Sequence, residues 1–218
     1  SIVETSNSLD NISLYLYLDE DDSITPPVAA ELIKKYKNIF AFVGPRIIHS
    51  KMPNVLYTKS KEDILFLGGD DLIMQTQGWD TIVREAFAKV DDRIALVYGR
   101  DGGEAVAHPE KFATHPILHR KWAEVLGYVN PPYFSCDYAD TWSNDLADAV
   151  DRKFLLPIFH EHMHFSFRKA EFDSTYREAR ERFQKDNVPQ LYHNLAGERD
   201  RDIQKLKKFF GDIGAIDI

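Results

Sequence analysis

From Asn11 to Ser23 the chain reads "NISLYLYLDEDDS", with Ile12, Leu14, Leu16 and Leu18 alternating against Ser13, Tyr15 and Tyr17. A period of two predicts a half-buried strand. It ends in an acidic tip, Asp19, Glu20, Asp21 and Asp22. "TPPVAAELIKKYKN" follows and predicts a helix, with Thr25 near its cap and prolines in its first turn. Two short apolar runs, "IFAFVG" (39–44) and "DILFLGG" (63–69), predict strands, and the second delivers the pair Asp70–Asp71. In "WDTIVREAFAKV" the residues Trp79, Ile82, Val83, Ala86, Phe87 and Val90 recur at helical spacing. "IALVYG" (94–99) predicts a further strand.

Strands alternating with helices favour an α/β fold on a mostly parallel sheet. In such sheets ligands bind beyond the carboxyl ends of the strands. Both acidic clusters, 19–22 and 70–71, fall at predicted strand ends. The second half is less regular. "HPILHRKWAEVLGY" predicts a helix ending at Gly127, and a Pro-marked turn then leads to a helix around Trp142, Leu146, Ala149 and Val150. "KFLLPIFHEHMHF" predicts a strand whose end carries His160, His162 and His164. From about 174 to 218, after the cap-like Asp173, two peripheral helices are expected. No repeat or long linker interrupts the chain, so residues 1–218 are expected to form a single domain.

Composition narrows this picture in three ways. Hydrophobic residues make up 44% of the 218, enough for a substantial core. The net charge of −8 leaves no overall basic footprint for nucleic acid. Cys136 is the only cysteine, so no internal disulfide can form, and a reducing, cytoplasmic setting is expected. No apolar run approaches the ~20 residues that span a bilayer.

Three groups of residues could carry chemistry. Asp70 and Asp71 repel each other, and in most sequences such a pair is a solvated turn or a helix cap. With flanking glycines it can also hold Mg²⁺ or Mn²⁺ and bridge the ion to phosphates. The histidines of "HEHMH" alternate, so His160, His162 and His164 could share one face of a strand, and imidazole readily joins carboxylates on Mn²⁺. "CDYADTWSND" supplies Asp137, Asp140 and Asp145. Asp140 stands before a predicted helix, where it could be an N-cap or a general base.

Taken in order, "YLDEDD", "LGGDDLIMQTQGWD", "YGRDG", "HPILHRKWAEVLGYVNPPYF", "DYADTWSNDLADAV" and "HEHMHF" resemble a GT-A-type nucleotide-sugar glycosyltransferase. The likeness is to the compact, family-2-like kind met in phage and environmental sequences, and it covers roughly residues 12–176. It implies a Rossmann-like sheet, a Mn²⁺ or Mg²⁺ cofactor and a nucleotide-sugar donor, most readily a UDP-sugar. It places the nucleoside against Asp19, Asp21 or Asp22, and the diphosphate near Asp70. The metal falls to Asp71 with His162, or else His164, and the catalytic base to Asp140 with Asp137 in reserve. Transfer would proceed with inversion onto a glycan, protein, lipid-linked sugar or modified DNA base. The resemblance also implies a first strand ahead of residue 12, which residues 1–11 do not supply. An open edge there would invite pairing into a homodimer. Two rivals stand beside it: a metal-dependent hydrolase or nuclease, and a non-catalytic nucleotide-sugar-binding module.

Overall fold

In the computed structural model, residues 1–102 and 111–210 are described. The elements in chain order are α1 (Ile2–Thr5), β1 (Leu14–Asp19), α2 (Thr25–Lys35), β2 (Ile39–Gly44), α3 (Met52–Lys59), β3 (Ile64–Phe66), β4 (Leu72–Met74) and α4 (Trp79–Ala88). They continue as β5 (Leu96–Asp101), β6 (Ile117–His119), α5 (Arg120–Leu126), α6 (Ala139–Ala149), β7 (Lys153–His162), α7 (Ser174–Lys185), α8 (Val188–Asn194) and α9 (Ala196–Phe210).

The α/β class is as expected, but the sheet is mixed rather than mostly parallel. β1 and β2 form a parallel pair of their own. The other five strands run in the order β3-β6-β5-β7-β4. Within them only β5 and β7 pair in parallel, while β6 and β4 run antiparallel to their neighbours. The unexpected antiparallel strands are three residues each. Both are too short to leave a periodic signal. "HPILH" holds one of them, so the helix expected there begins only at Arg120.

β3 and β5 are both antiparallel to β6, and β5 is parallel to β7, so β3, β5 and β7 point the same way. Their carboxyl ends open on one rim of the sheet. Between Tyr98 and Arg100 the β5–β7 register slips. Pro157 has no N–H for the ladder there, and Gly99 lies so close to β7 that a Cβ would sit 2.8 Å from the Ile158 carbonyl. Bulges of this kind re-aim strand ends. Beyond this one, Asp101 stands opposite His160.

β5 is buried on both faces, as the centre of a layered sheet requires. Leu96 and Tyr98 pack with Leu118, Trp122, Trp142, Leu146, Leu206 and Phe210. Val97 packs on the other side with Met74, Val83, Phe87 and Ile158. Among its described residues the C-terminal segment forms three helices where two were expected, and Val188, Leu206 and Phe210 bring it into the first of these cores. Residues 1–11 contain a helical turn and a 3₁₀ turn. They are tied to α4: the Asp80 carboxylate accepts from Asn7 N–H at 2.7 Å, and Gly78 N–H donates to Thr5. Among the described residues β1 pairs with no strand but β2.

Candidate functional site

The rim where β3, β5 and β7 end gathers a compact set of acid and histidine side chains. Asp71 lies immediately before β4, and its carbonyl accepts from Met163 N–H at 2.8 Å. Leu72 stands opposite His162. This register brings the Asp71 carboxylate to His162, Oδ2 to Nε2 at 3.0 Å. The other ring nitrogen of His162 is 3.1 Å from Asp101 Oδ2, at the end of β5. One imidazole is thus bracketed by two carboxylates, one immediately before β4 and one at the end of β5.

His115 was not among the residues singled out from sequence, and it completes the cluster. It precedes β6, where the Pro116 carbonyl accepts from Leu67 N–H and fixes this segment beside the turn after β3. Its Nδ1 is 3.1 Å from His160 Nε2. Its ring centroid lies 5.0 Å from that of His160 and 4.8 Å from that of His162. The Asn144 side chain on α6 grips Ala113 at both its N–H (2.9 Å) and its carbonyl (3.0 Å). The helix carrying Asp140 therefore also positions the approach to His115. No spacing rule could have found His115, because it meets its partners through strand pairing.

Burial separates the charge states of these rings. Desolvation foremost, with the nearby imidazoles, pushes His115 down to about 3, and desolvation pushes His160 down to about 4. Both are neutral near pH 7. Burial also opposes charge on His162, but hydrogen bonds to Asp101 and Asp71 outweigh it and raise the group to about 9. For Asp71, burial favours the neutral acid; the His162 contact prevails, and its carboxyl stays below the usual range.

Of the histidines sharing the strand pattern, His160 and His162 do lie together. β7 ends at His162, so His164 leaves the ladder. Its ring remains 5.2 Å from that of His162, but its Nδ1 accepts from Ser166 N–H at the start of a 3₁₀ turn. Asp70 is exposed, whereas its neighbour Asp71 is half-buried. The opposed exposure of the two carboxylates accommodates the adjacent charges.

The acidic tip of β1 divides its tasks. Asp22 Oδ1 accepts from Ile24 and Thr25 N–H and so starts α2. Arg46, after β2, lies 3.2 Å from Asp21 and 3.6 Å from Asp19, and it also reaches Glu178 of α7 at 3.0 Å. Asp19 Oδ1 is buried with no hydrogen-bond partner among the described residues. Desolvation pushes this carboxyl up despite Arg46.

Asp137 and Tyr138 both take left-handed backbone, φ 50° and 60°. Two such non-glycine residues in succession mark a strained turn. Asp137 is held by Arg180 at 2.8 Å. The turn feeds Asp140 into the first turn of α6 rather than ahead of it, so it is not the N-cap. Its Oδ1 accepts from Thr141 N–H at 2.7 Å. Desolvation foremost raises the Asp140 carboxyl to about 6, and Asp137 adds to the shift. Two shallow hollows, along Leu155–Phe159 and beside Asn54 and Tyr128, do not include the Asp–His cluster. No described helix is long and apolar enough to cross a membrane. The chain matches no protein-family model, and no curated protein is similar to it.

Proposed function

We infer that this chain transfers a glycosyl group from a nucleotide-sugar donor to an acceptor hydroxyl, assisted by a divalent cation. The observation that carries this reading is the meeting of Asp71 with His162 at 3.0 Å, on the rim where three like-directed strands end. The donor set suits a metal ion, combining a carboxylate with an imidazole. A cation held there would neutralise the diphosphate as it leaves.

The other roles belong to the chain's own residues. Asp19, whose Oδ1 has no hydrogen-bond partner among the described residues, and Asp21 accept from the nucleoside. Exposed Asp70 borders the diphosphate. Asp140 takes the acceptor's proton while the acceptor oxygen bonds to the anomeric carbon and the bond to the diphosphate oxygen breaks. One displacement inverts that carbon. A carboxyl raised to about 6 remains ionised at pH 7 and is a stronger base than an ordinary aspartate. Asn144 supports the arrangement, since its amide also donates to the Asp140 carbonyl at 2.9 Å.

The test is a panel of UDP- and other nucleotide-sugars, read by thermal shift with and without Mn²⁺ and then by transfer to simple glycan acceptors. A donor that stabilises the chain only with the metal, and loses this effect in Asp71→Ala, is the expected result. No response to any nucleotide or nucleotide-sugar would overturn the reading. Steady release of free sugar without an acceptor would move it to a hydrolase, and binding without turnover would leave a binding module.

A further inference from the structure

We propose that His115 is a metal ligand, and that Asp71, His115 and His162 together form a three-ligand centre for a divalent transition metal of the manganese-to-zinc series rather than for Mg²⁺. This rests on the cation site inferred above and adds its third ligand, its support and its metal class.

The ligand atoms of these three side chains all lie within 4.8 Å of one another. A second triplet, Asp101, His115 and His160, meets the same limit, and His115 cannot serve both. Hydrogen bonding decides between them. His115 Nδ1 is engaged by His160 at 3.1 Å, which leaves Nε2 as its ligating atom. Asp101 Oδ2 is already committed to His162 Nδ1. The second triplet is also wholly buried, with Asp101 and His115 7% exposed and His160 2%, whereas Asp71 and His162 keep 22% and 13% of their side-chain surface. The first triplet is therefore the one a substrate or water can reach.

An independent feature marks the same spot. A Cβ on Gly69 would fall 2.5 Å from Asp71 Oδ1 and 3.4 Å from His115 Nε2. Glycine keeps open the space between two of the ligand atoms. The supporting contacts have the form found behind metal-bound histidines, whose second nitrogen is held by a carboxylate or another polar group. His162 has Asp101 behind it, and His115 has His160.

The metal class follows from the ligands. Two imidazoles and one carboxylate suit the transition series, while Mg²⁺ prefers oxygen and retains its water. The Asp101–His162 pair makes the second imidazole more basic.

Titration of the whole chain with Co²⁺, followed by visible absorption and calorimetry, tests this in the absence of any sugar donor. A saturable visible band that excess Mg²⁺ does not displace is expected. His115→Ala should weaken Co²⁺ binding by more than the roughly 10- to 100-fold expected for the supporting variants Asp101→Asn and His160→Gln. Because His115 is buried, Gly69→Ala provides a second probe: it leaves every ligand in the sequence but crowds Asp71 and should also weaken binding. Circular dichroism checks the fold of each variant. Co²⁺ affinity unchanged in folded His115→Ala and in Gly69→Ala, but lost in His162→Ala, would overturn the His115 assignment and leave the site proposed above intact. Ready displacement of Co²⁺ by Mg²⁺ would overturn the metal class. Failure of Co²⁺ to bind the unmodified chain overturns the three-ligand centre. His115-dependent Co²⁺ binding with no response to nucleotide-sugars would uphold the centre and refute the transferase reading.

Discussion

Replacing Asp140 by Asn separates a catalytic carboxylate from a structural one, because the two roles predict opposite effects. The side chain is half-buried in the first turn of α6, where its Oδ1 accepts from Thr141 N–H. Asn preserves that acceptor and removes the charge. Folding raises the carboxyl from 3.8 to about 6, desolvation being the main cause. Between those values the folded chain holds a proton that the unfolded chain has released. Stability therefore declines as pH rises from about 4 to about 6, and the full penalty applies above that. The rise from 3.8 to about 6 corresponds to roughly 3 kcal/mol. Partial exposure screens the charge, so about 1–2 kcal/mol is the working expectation.

Asp140→Asn should accordingly raise the melting temperature at pH 7 by about 2–8 °C, using about 2–4 °C per kcal/mol for a chain of this size. At pH 4 or below the two proteins should melt together. If Asp140 is the base, transfer should fall by about 100- to 10,000-fold while donor binding survives. Differential scanning fluorimetry across pH, paired with a transfer assay, reads both effects. Equal melting temperatures at pH 4 and pH 7 would refute the desolvation argument. A stabilised and fully active variant would remove Asp140 from the mechanism and direct the search for the base to Asp137.

Tyr128→Phe should cost about 1–3 kcal/mol by chemical denaturation, since this hydroxyl donates to the buried Asp202 and accepts from Trp142 Nε1 at 3.0 Å; no loss would mean that this link does not hold α9. Asp80→Ala should release residues 1–11 to limited proteolysis, because its carboxylate holds Asn7 N–H and pairs with Arg84 at 2.9 Å. Burial opposes ionisation of Asp80, but those partners prevail and lower its pKa, so the stability it contributes is present above about pH 4 and lost as pH falls through its depressed value. Gly78→Ala should destabilise by about 1–3 kcal/mol, because φ is 73° and a Cβ would lie 2.7 Å from Asn7 Nδ2; thermal melting reads it, and a neutral result would show that this segment can shift.

Most elements legible from sequence were long enough to repeat a period, while the short β3 was marked by the glycines that close its apolar run. The β1 alternation, the apolar stripe of α4 and the Asp173 cap of α7, where Oδ1 accepts from Tyr176 N–H, each depend on neighbours a few residues apart. The end of β7 was legible too, and with it the position of His162, whereas Asp71, expected to close a strand over 63–69, stands immediately before β4 because β3 stops at Phe66. β4 and β6 were not, because three residues carry no period and their pairing partners lie far along the chain. That loss also concealed the mixed order of the sheet.

For the same reason the candidate site was only half visible. Asp71 and His162 stood out as a carboxylate pair and a histidine run, whereas His115 and Asp101 look like ordinary loop and strand-end residues. What joins them is register: Leu72 opposite His162, Asp101 opposite His160, and Pro116 bonded to Leu67. Residue type and local spacing determined which side chains could do chemistry. Only long-range backbone pairing decided which of them meet, because a ligand set is a condition on distances that adjacent residues cannot impose.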